Sequence, residues 1–120
     1  MNDIEELLRK VREIALKYDL SMPSVSIIST PYFEKLLGGT FFASIKVSDN
    51  TICNYLKMHG ILPIEDECEK HELCSLSFYV EESDYYIELY TVADDIYTAL
   101  RQLYELLECI ISDIKDDDKQ

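Results

Sequence analysis

Between Ile96 and Ile114 the side chains of Ile96, Ala99, Leu100, Leu103, Leu106, Leu107, Ile110, Ile111 and Ile114 recur at steps of three and four residues. That spacing lays them along one stripe of an α-helix about five turns long. A stripe this aliphatic has to be covered by a second apolar layer. The fold is therefore constrained to place a sheet or further helices against the C-terminal helix, and segments upstream alternate as strands do.

Leu76, Phe78 and Val80 alternate with Ser75, Ser77 and Tyr79. After Glu81-Glu82-Ser83-Asp84, Ile87 and Leu89 alternate with Tyr86, Glu88 and Tyr90. This pattern predicts a β-hairpin with one buried face. Thr91 with Asp94 resembles a capping box, with Asp in place of Glu, at the start of the long helix. Ser24-Val25-Ser26-Ile27 and residues 40–48 alternate in the same way and predict two more strands. Between them Pro31 breaks the chain, and Tyr32 to Leu37 predict a helical turn closed by Gly38-Gly39. Asp49-Asn50 signals a turn, and residues 51–58 fit either a short helix or a strand. Near the N-terminus Ile4, Leu7, Leu8, Val11, Ile14, Ala15 and Tyr18 share one helical face, with a stop near Asp19.

The expected architecture is α+β: a four-stranded, mostly antiparallel sheet with the N- and C-terminal helices packed on one face and the other face open. Residues 1–115 are expected to form a single domain, and residues 116–120 a disordered acidic tail. With 120 residues, 48% of them hydrophobic, the chain is long enough to bury a core and too apolar for disorder. No apolar run approaches the ~20 residues needed to span a bilayer. The first residues, Met1-Asn2-Asp3-Ile4-Glu5-Glu6, lack the basic and apolar regions of a secretion signal, so a cytoplasmic location is expected.

The charge is unevenly divided. Residues 1–60 carry seven acids and seven bases, whereas residues 61–120 carry seventeen acids and four bases, so the net −13 resides in the second half. Nucleic acids and anionic membranes repel such a surface, and a basic protein is drawn to it. Mere solubility is the simpler use of the same acidity.

Cys53, His59, Cys68, His71 and Cys74 cluster within 22 positions. Zinc takes four S or N ligands in a tetrahedron, and Cys68, His71 and Cys74 would lie one turn apart if they were on a helix. A disulfide, Cys68–Cys74 or Cys53 with either, is a second reading. Ordinary buried thiols and surface histidines are the third. A catalytic Cys–His pair would need a positioned base and an oxyanion hole, and no motif supplies them. No phosphate loop, dinucleotide fingerprint or calcium loop is present, and no enzymatic activity or obligatory cofactor is expected.

Tyr79, Tyr86, Tyr90 and Glu88 fall on the sheet face opposite the Leu/Ile core, beside Glu81, Glu82 and Asp84. Tyrosine buries much area while keeping a polar handle, so these seven residues form the candidate partner-binding surface. High strand propensity alone would also place tyrosines there. Aromatic RNA-binding sheets carry basic neighbours, which this one lacks. Tyr97, Tyr104 and Cys109 flank the main stripe of the last helix, and a homodimer would cover that surplus.

The leading expectation is a non-enzymatic acidic protein-binding module. It would act as an inhibitor masking a basic nuclease or nucleic-acid-binding partner, as immunity proteins, DNA mimics and viral anti-defence proteins do. The length, acidity and helix–strands–strands–helix order also resemble the small type III secretion chaperones, which implies a dimer that holds an effector protein. A zinc-stabilised domain or enzyme built on the Cys/His cluster is the remaining alternative.

Overall fold

The computed structural model describes residues 3–18, 20–28, 30–61, 70–83 and 85–118. In chain order the elements are α1 (Asp3–Lys17), β1 (Ser24–Ile27), α2 (Pro31–Leu37), β2 (Phe41–Val47), α3 (Asn50–Met58), β3 (Lys70–Leu73), β4 (Leu76–Glu82), β5 (Ile87–Ala93) and α4 (Ile96–Asp118). The strands form one sheet in the order β1-β2-β5-β4-β3, and every neighbouring pair is antiparallel. The architecture is the expected α+β arrangement with five strands rather than four.

The additional strand is β3. Its sequence, Lys70-His71-Glu72-Leu73, offers only two positions to the core side, where His71 lies opposite Phe78 and Leu73 opposite Leu76. The reversal into β4 runs through Cys74 and Ser75, both at positive φ, 57° and 65°. Two-residue hairpin turns need that backbone and usually recruit Asn or Gly for it. Cys-Ser hides the signal. Because residues 70–73 are extended, the helical spacing expected for His71 and Cys74 does not exist.

The core lies between the sheet and the helices. Ala43, Ile45 and Val47 of β2, Phe78 and Val80 of β4, and Ile87 and Leu89 of β5 are buried on one face. Against them α4 buries Ala99, Leu100, Leu103, Leu106, Leu107 and Ile110. Each of the leucines contributes roughly 1.5–3 kcal/mol by leaving water. Helix α1 packs on α4 and adds Leu7, Val11 and Ala15, while α3 adds Ile52, Tyr55 and Leu56. The buried Thr91 hydroxyl donates to the Ala99 carbonyl at 2.6 Å, so burying it leaves no orphaned donor.

Helix caps follow the local chemistry. Asp95, not the Thr91–Asp94 pair, caps α4: its carboxylate accepts from the Thr98 N–H at 2.7 Å and from the Thr98 hydroxyl at 2.9 Å. Thr91 is unavailable because β5 runs on to Ala93. Asp49 accepts from the Ile52 N–H at 3.1 Å and opens α3, which resolves the ambiguity over residues 51–58 as a helix. At its far end α4 continues to Asp118. Gln120 and Lys119 lie outside the described residues.

The second face of the sheet is not wholly open. The C-terminal end of α2 meets it: Tyr79, which points away from the core, donates its hydroxyl to the Leu37 carbonyl at 3.1 Å and is only 6% exposed, although α2 itself buries no side chain. Gly39 makes this approach possible, because a Cβ there would sit 2.8 Å from both the Ala93 carbonyl oxygen and Val92 Cγ1.

Candidate functional site

The strand registers arrange the face opposite α4 in rows. One row runs Ser44, Tyr90, Tyr79, and the next runs Lys46, Glu88, Glu81. The first is built as an inner layer. The Tyr79 and Tyr90 rings stack at 5.6 Å, and Phe42 meets Tyr90 edge-on at 6.1 Å. Ser44 is buried and its hydroxyl hydrogen-bonds that of Ser24 at 2.9 Å.

The second row faces solvent and is electrostatically unbalanced. Glu81 and Glu88 stand directly opposite each other across β4 and β5. Like charges so placed repel by roughly 0.2–1 kcal/mol. Lys46 is the cross-strand neighbour of Glu88 on the other side, yet its ammonium lies over the Tyr86 ring, 4.9 Å from the centroid. Among the described residues no basic side chain forms an ion pair with either glutamate. The ion pairs present are on the helices, Arg9 with Glu6 and Glu13 on α1 and Arg101 with Glu105 on α4. At the hairpin tip Glu82 is exposed and Tyr85 is 88% exposed. The Ser83 hydroxyl donates to the Tyr86 carbonyl at 3.0 Å and accepts from its N–H at 3.3 Å, which braces the turn.

Of the seven predicted partner-binding residues, the structure therefore keeps Glu81, Tyr86 and Glu88 together on one accessible face, whereas Glu82, paired with the buried Ile87, belongs to the opposite, helix-bearing face, where its charge is felt by Cys53 of α3. Tyr79 and Tyr90 share their face but are stacked on each other, with the Tyr79 hydroxyl bonded to the end of α2. Asp84 lies outside the described residues. Two residues join the site that were not singled out, Lys46 and Tyr85. Alternation along β2 already put Lys46 on this face.

No family model, no curated protein and no solved structure matches this chain. What the surface does has to be argued from its own residues. No helix among the described residues is long and apolar enough to cross a membrane.

Among the described residues, Cys53, His59, His71 and Cys74 do not converge on one metal-sized group. Cys53 is half-buried on α3, and burial pushes its thiol pKa up against a smaller opposing pull from Lys57. That is the reverse of what a cysteine nucleophile needs. The His59 ring lies 4.1 Å from the Tyr55 ring, with Nδ1 2.9 Å from the Tyr55 carbonyl oxygen. His71 packs beside Phe78 with its Nε2 buried. Cys68 lies outside the described residues. Cys74 is joined in a disulfide to Cys109, 35 residues away, with Cα atoms 6.6 Å apart. The disulfide reading of the sequence paired Cys74 with Cys68 or Cys53. Cys109 takes that place because α4 carries it to the β3–β4 turn. Asp113, one helical turn beyond Cys109, offers a carboxylate oxygen to the same spot, and the three ligand atoms lie within 4.8 Å of one another.

Several apolar side chains are exposed on and after β1. Ile27 on the edge strand β1 is 65% exposed, and Tyr32, Phe33 and Leu36 of α2 are exposed beside it in sequence.

Proposed function

We propose that this chain is a non-enzymatic protein-binding module that covers a basic surface on its partner. The single observation that carries the reading is the facing pair Glu81 and Glu88, without a basic partner among the described residues. The pair costs the isolated fold stability and returns nothing to it. A cationic partner reverses the sign, because each carboxylate then gains an attractive neighbour. Tyr85 and Tyr86 add aromatic area at the same edge, the kind of side chain that anchors interfaces. Basic surfaces of this type belong to nucleases and nucleic-acid-binding proteins, so the module acts as an inhibitor that occupies the place of a phosphate backbone. Immunity proteins, DNA mimics and viral anti-defence proteins share this physics.

The test is a titration against a panel of basic nucleases and nucleic-acid-binding proteins at low and high salt, with duplex DNA as competitor. Binding should weaken as salt rises, yield to DNA, and disappear in Glu81→Lys/Glu88→Lys. Binding that ignores both salt and the double variant rules the reading out.

A second reading rests on the exposed apolar side chains of Ile27, Tyr32, Phe33 and Leu36. A strand edge with no second neighbour among the described residues, carrying exposed apolar Ile27, suits a chaperone that holds an unfolded client segment or a second copy of itself. In that case client binding or dimerisation resists salt and is lost in Ile27→Asp or Phe33→Asp, whereas Glu81→Lys/Glu88→Lys leaves it intact.

A further inference from the structure

The geometry points to a redox-gated site for a thiophilic divalent cation, of the Zn²⁺ class, formed by Cys74, Cys109 and Asp113. It is independent of the acidic hairpin surface. Cys109 and Asp113 are four residues apart on α4, so a sulfur and a carboxylate project from one helix face. The β3–β4 turn delivers Cys74 to the same point from the sheet, on a residue held at positive φ and open to solvent.

Donors sharing one tetrahedral zinc ion at about 2.0–2.3 Å lie about 3.3–3.8 Å from one another. In the disulfide form the three ligand atoms already fall within 4.8 Å of one another, so parting the sulfurs and a side-chain rotation of about an ångström bring them to that spacing. Two thiolates and one carboxylate select zinc over magnesium or calcium, which want oxygen ligands. A fourth position is left for water.

The carboxylate is already oriented. The Tyr55 hydroxyl, carried by α3, donates to Asp113 Oδ2 at 2.7 Å, and the Tyr55 side chain is buried. Outer hydrogen bonds of this kind fix metal-binding carboxylates, and a carboxylate has lone pairs enough to accept one and bind an ion at once. Glu108 and Asp116 on the same helix add a negative field that concentrates cations.

The disulfide and the metal site exclude each other. A dithiol reductant cleaves the Cys74–Cys109 bond: two electrons and two protons pass to the cysteines, and the reductant becomes a disulfide. On metal binding the two thiols release two protons and form two metal–sulfur bonds, with no further electron transfer. A peroxide reverses the change: it takes two electrons from the thiolates, leaves as two waters after taking up two protons, and the re-formed disulfide expels the ion.

The experiment uses the full chain carrying Cys53→Ser and Cys68→Ser, so that only Cys74 and Cys109 remain as thiols. The protein is reduced with a phosphine, desalted without oxygen and titrated with Co²⁺, whose thiolate charge-transfer absorption reports sulfur ligation. One ion per chain should bind to the reduced protein and none to the oxidised protein, and Zn²⁺ should displace it. Cys109→Ser should abolish the band, and Tyr55→Phe should weaken binding about tenfold or more. Circular dichroism of each variant verifies the fold. A reduced, folded protein with no thiolate band, or a band that survives Cys109→Ser, overturns the site and leaves a purely structural crosslink.

Discussion

The hydroxyl of Tyr79 in β4 donates to the carbonyl oxygen of Leu37, the last residue of α2, at 3.1 Å. Carbonyls at a helix C-terminus have no partner within the helix. This one is satisfied by a residue 42 positions away in the chain, and the bond fastens α2 to the sheet.

Tyr79→Phe removes that bond while keeping the ring in its stack with Tyr90. The expected cost is about 1 kcal/mol. Urea unfolding should show a lower midpoint with an unchanged slope, and hydrogen exchange should rise in α2 before it rises elsewhere. Unaltered α2 protection would show that the hydroxyl does not hold the helix.

Gly39→Ala should be more damaging than its size suggests. The new methyl would lie 2.8 Å from backbone and side-chain atoms of β5, so α2 and its linker must shift. Overpacking of this kind costs roughly 1–3 kcal/mol. Gly38→Ala fails for another reason, a left-handed φ of 83° with open space around it. Thermal melts of the two variants, beside a Gly38→Asn variant that tolerates the backbone, separate crowding at 39 from conformation at 38.

Glu81→Gln should stabilise the isolated protein by a few tenths of a kcal/mol at low salt, with the gain fading as salt screens the repulsion. Glu88→Gln should do the same, and the two gains should not add, since either one removes the shared repulsion. Both variants should bind a basic partner more weakly. Stability that rises while binding falls is the mark of charge retained for function. Fully additive gains would show that the two carboxylates do not sense each other.

Asp95 sets a pH dependence. Its pKa is lowered, chiefly because the ionised carboxylate accepts the Thr98 N–H, with the Thr98 hydroxyl as a further donor. A depressed folded-state pKa means the stabilisation is present above the ordinary carboxylate pKa. It is lost as pH falls through the lower, folded value. Wild type and Asp95→Asn, which still caps but does not titrate, should therefore converge in one direction only. The wild-type advantage should shrink on acidification and stay level at neutral pH and above. A difference that grows in acid would contradict the assignment.

Much of the fold was legible in the residues. The 3.6-residue stripe of α4 and the alternation through Leu76–Val80 and Ile87–Leu89 report burial by neighbours close in sequence, and these elements appear where periodicity put them. Strand β3 was hidden because its turn uses Cys74-Ser75 in a backbone usually reserved for Asn and Gly. The anchoring of the end of α2 to the sheet depends on a contact between Tyr79 and Leu37 that no local pattern encodes. The same limit applies to Cys109, whose partner is a consequence of how α4 crosses the hairpin. For the candidate surface, alternation placed Tyr86, Glu88 and Glu81 on one face. Only the register showed that the two glutamates confront each other.

The position of α4 in the chain shapes how the protein is made. The strands that need it leave the ribosome first, and 22 residues separate Leu89 in the sheet from Ile111 in the helix. At about 5–20 residues per second, a nascent sheet waits on the order of one to four seconds with its aliphatic side uncovered. During that interval the half-made chain is adhesive. A ribosome-associated holdase would be expected to bind it then and to release it once the helix arrives.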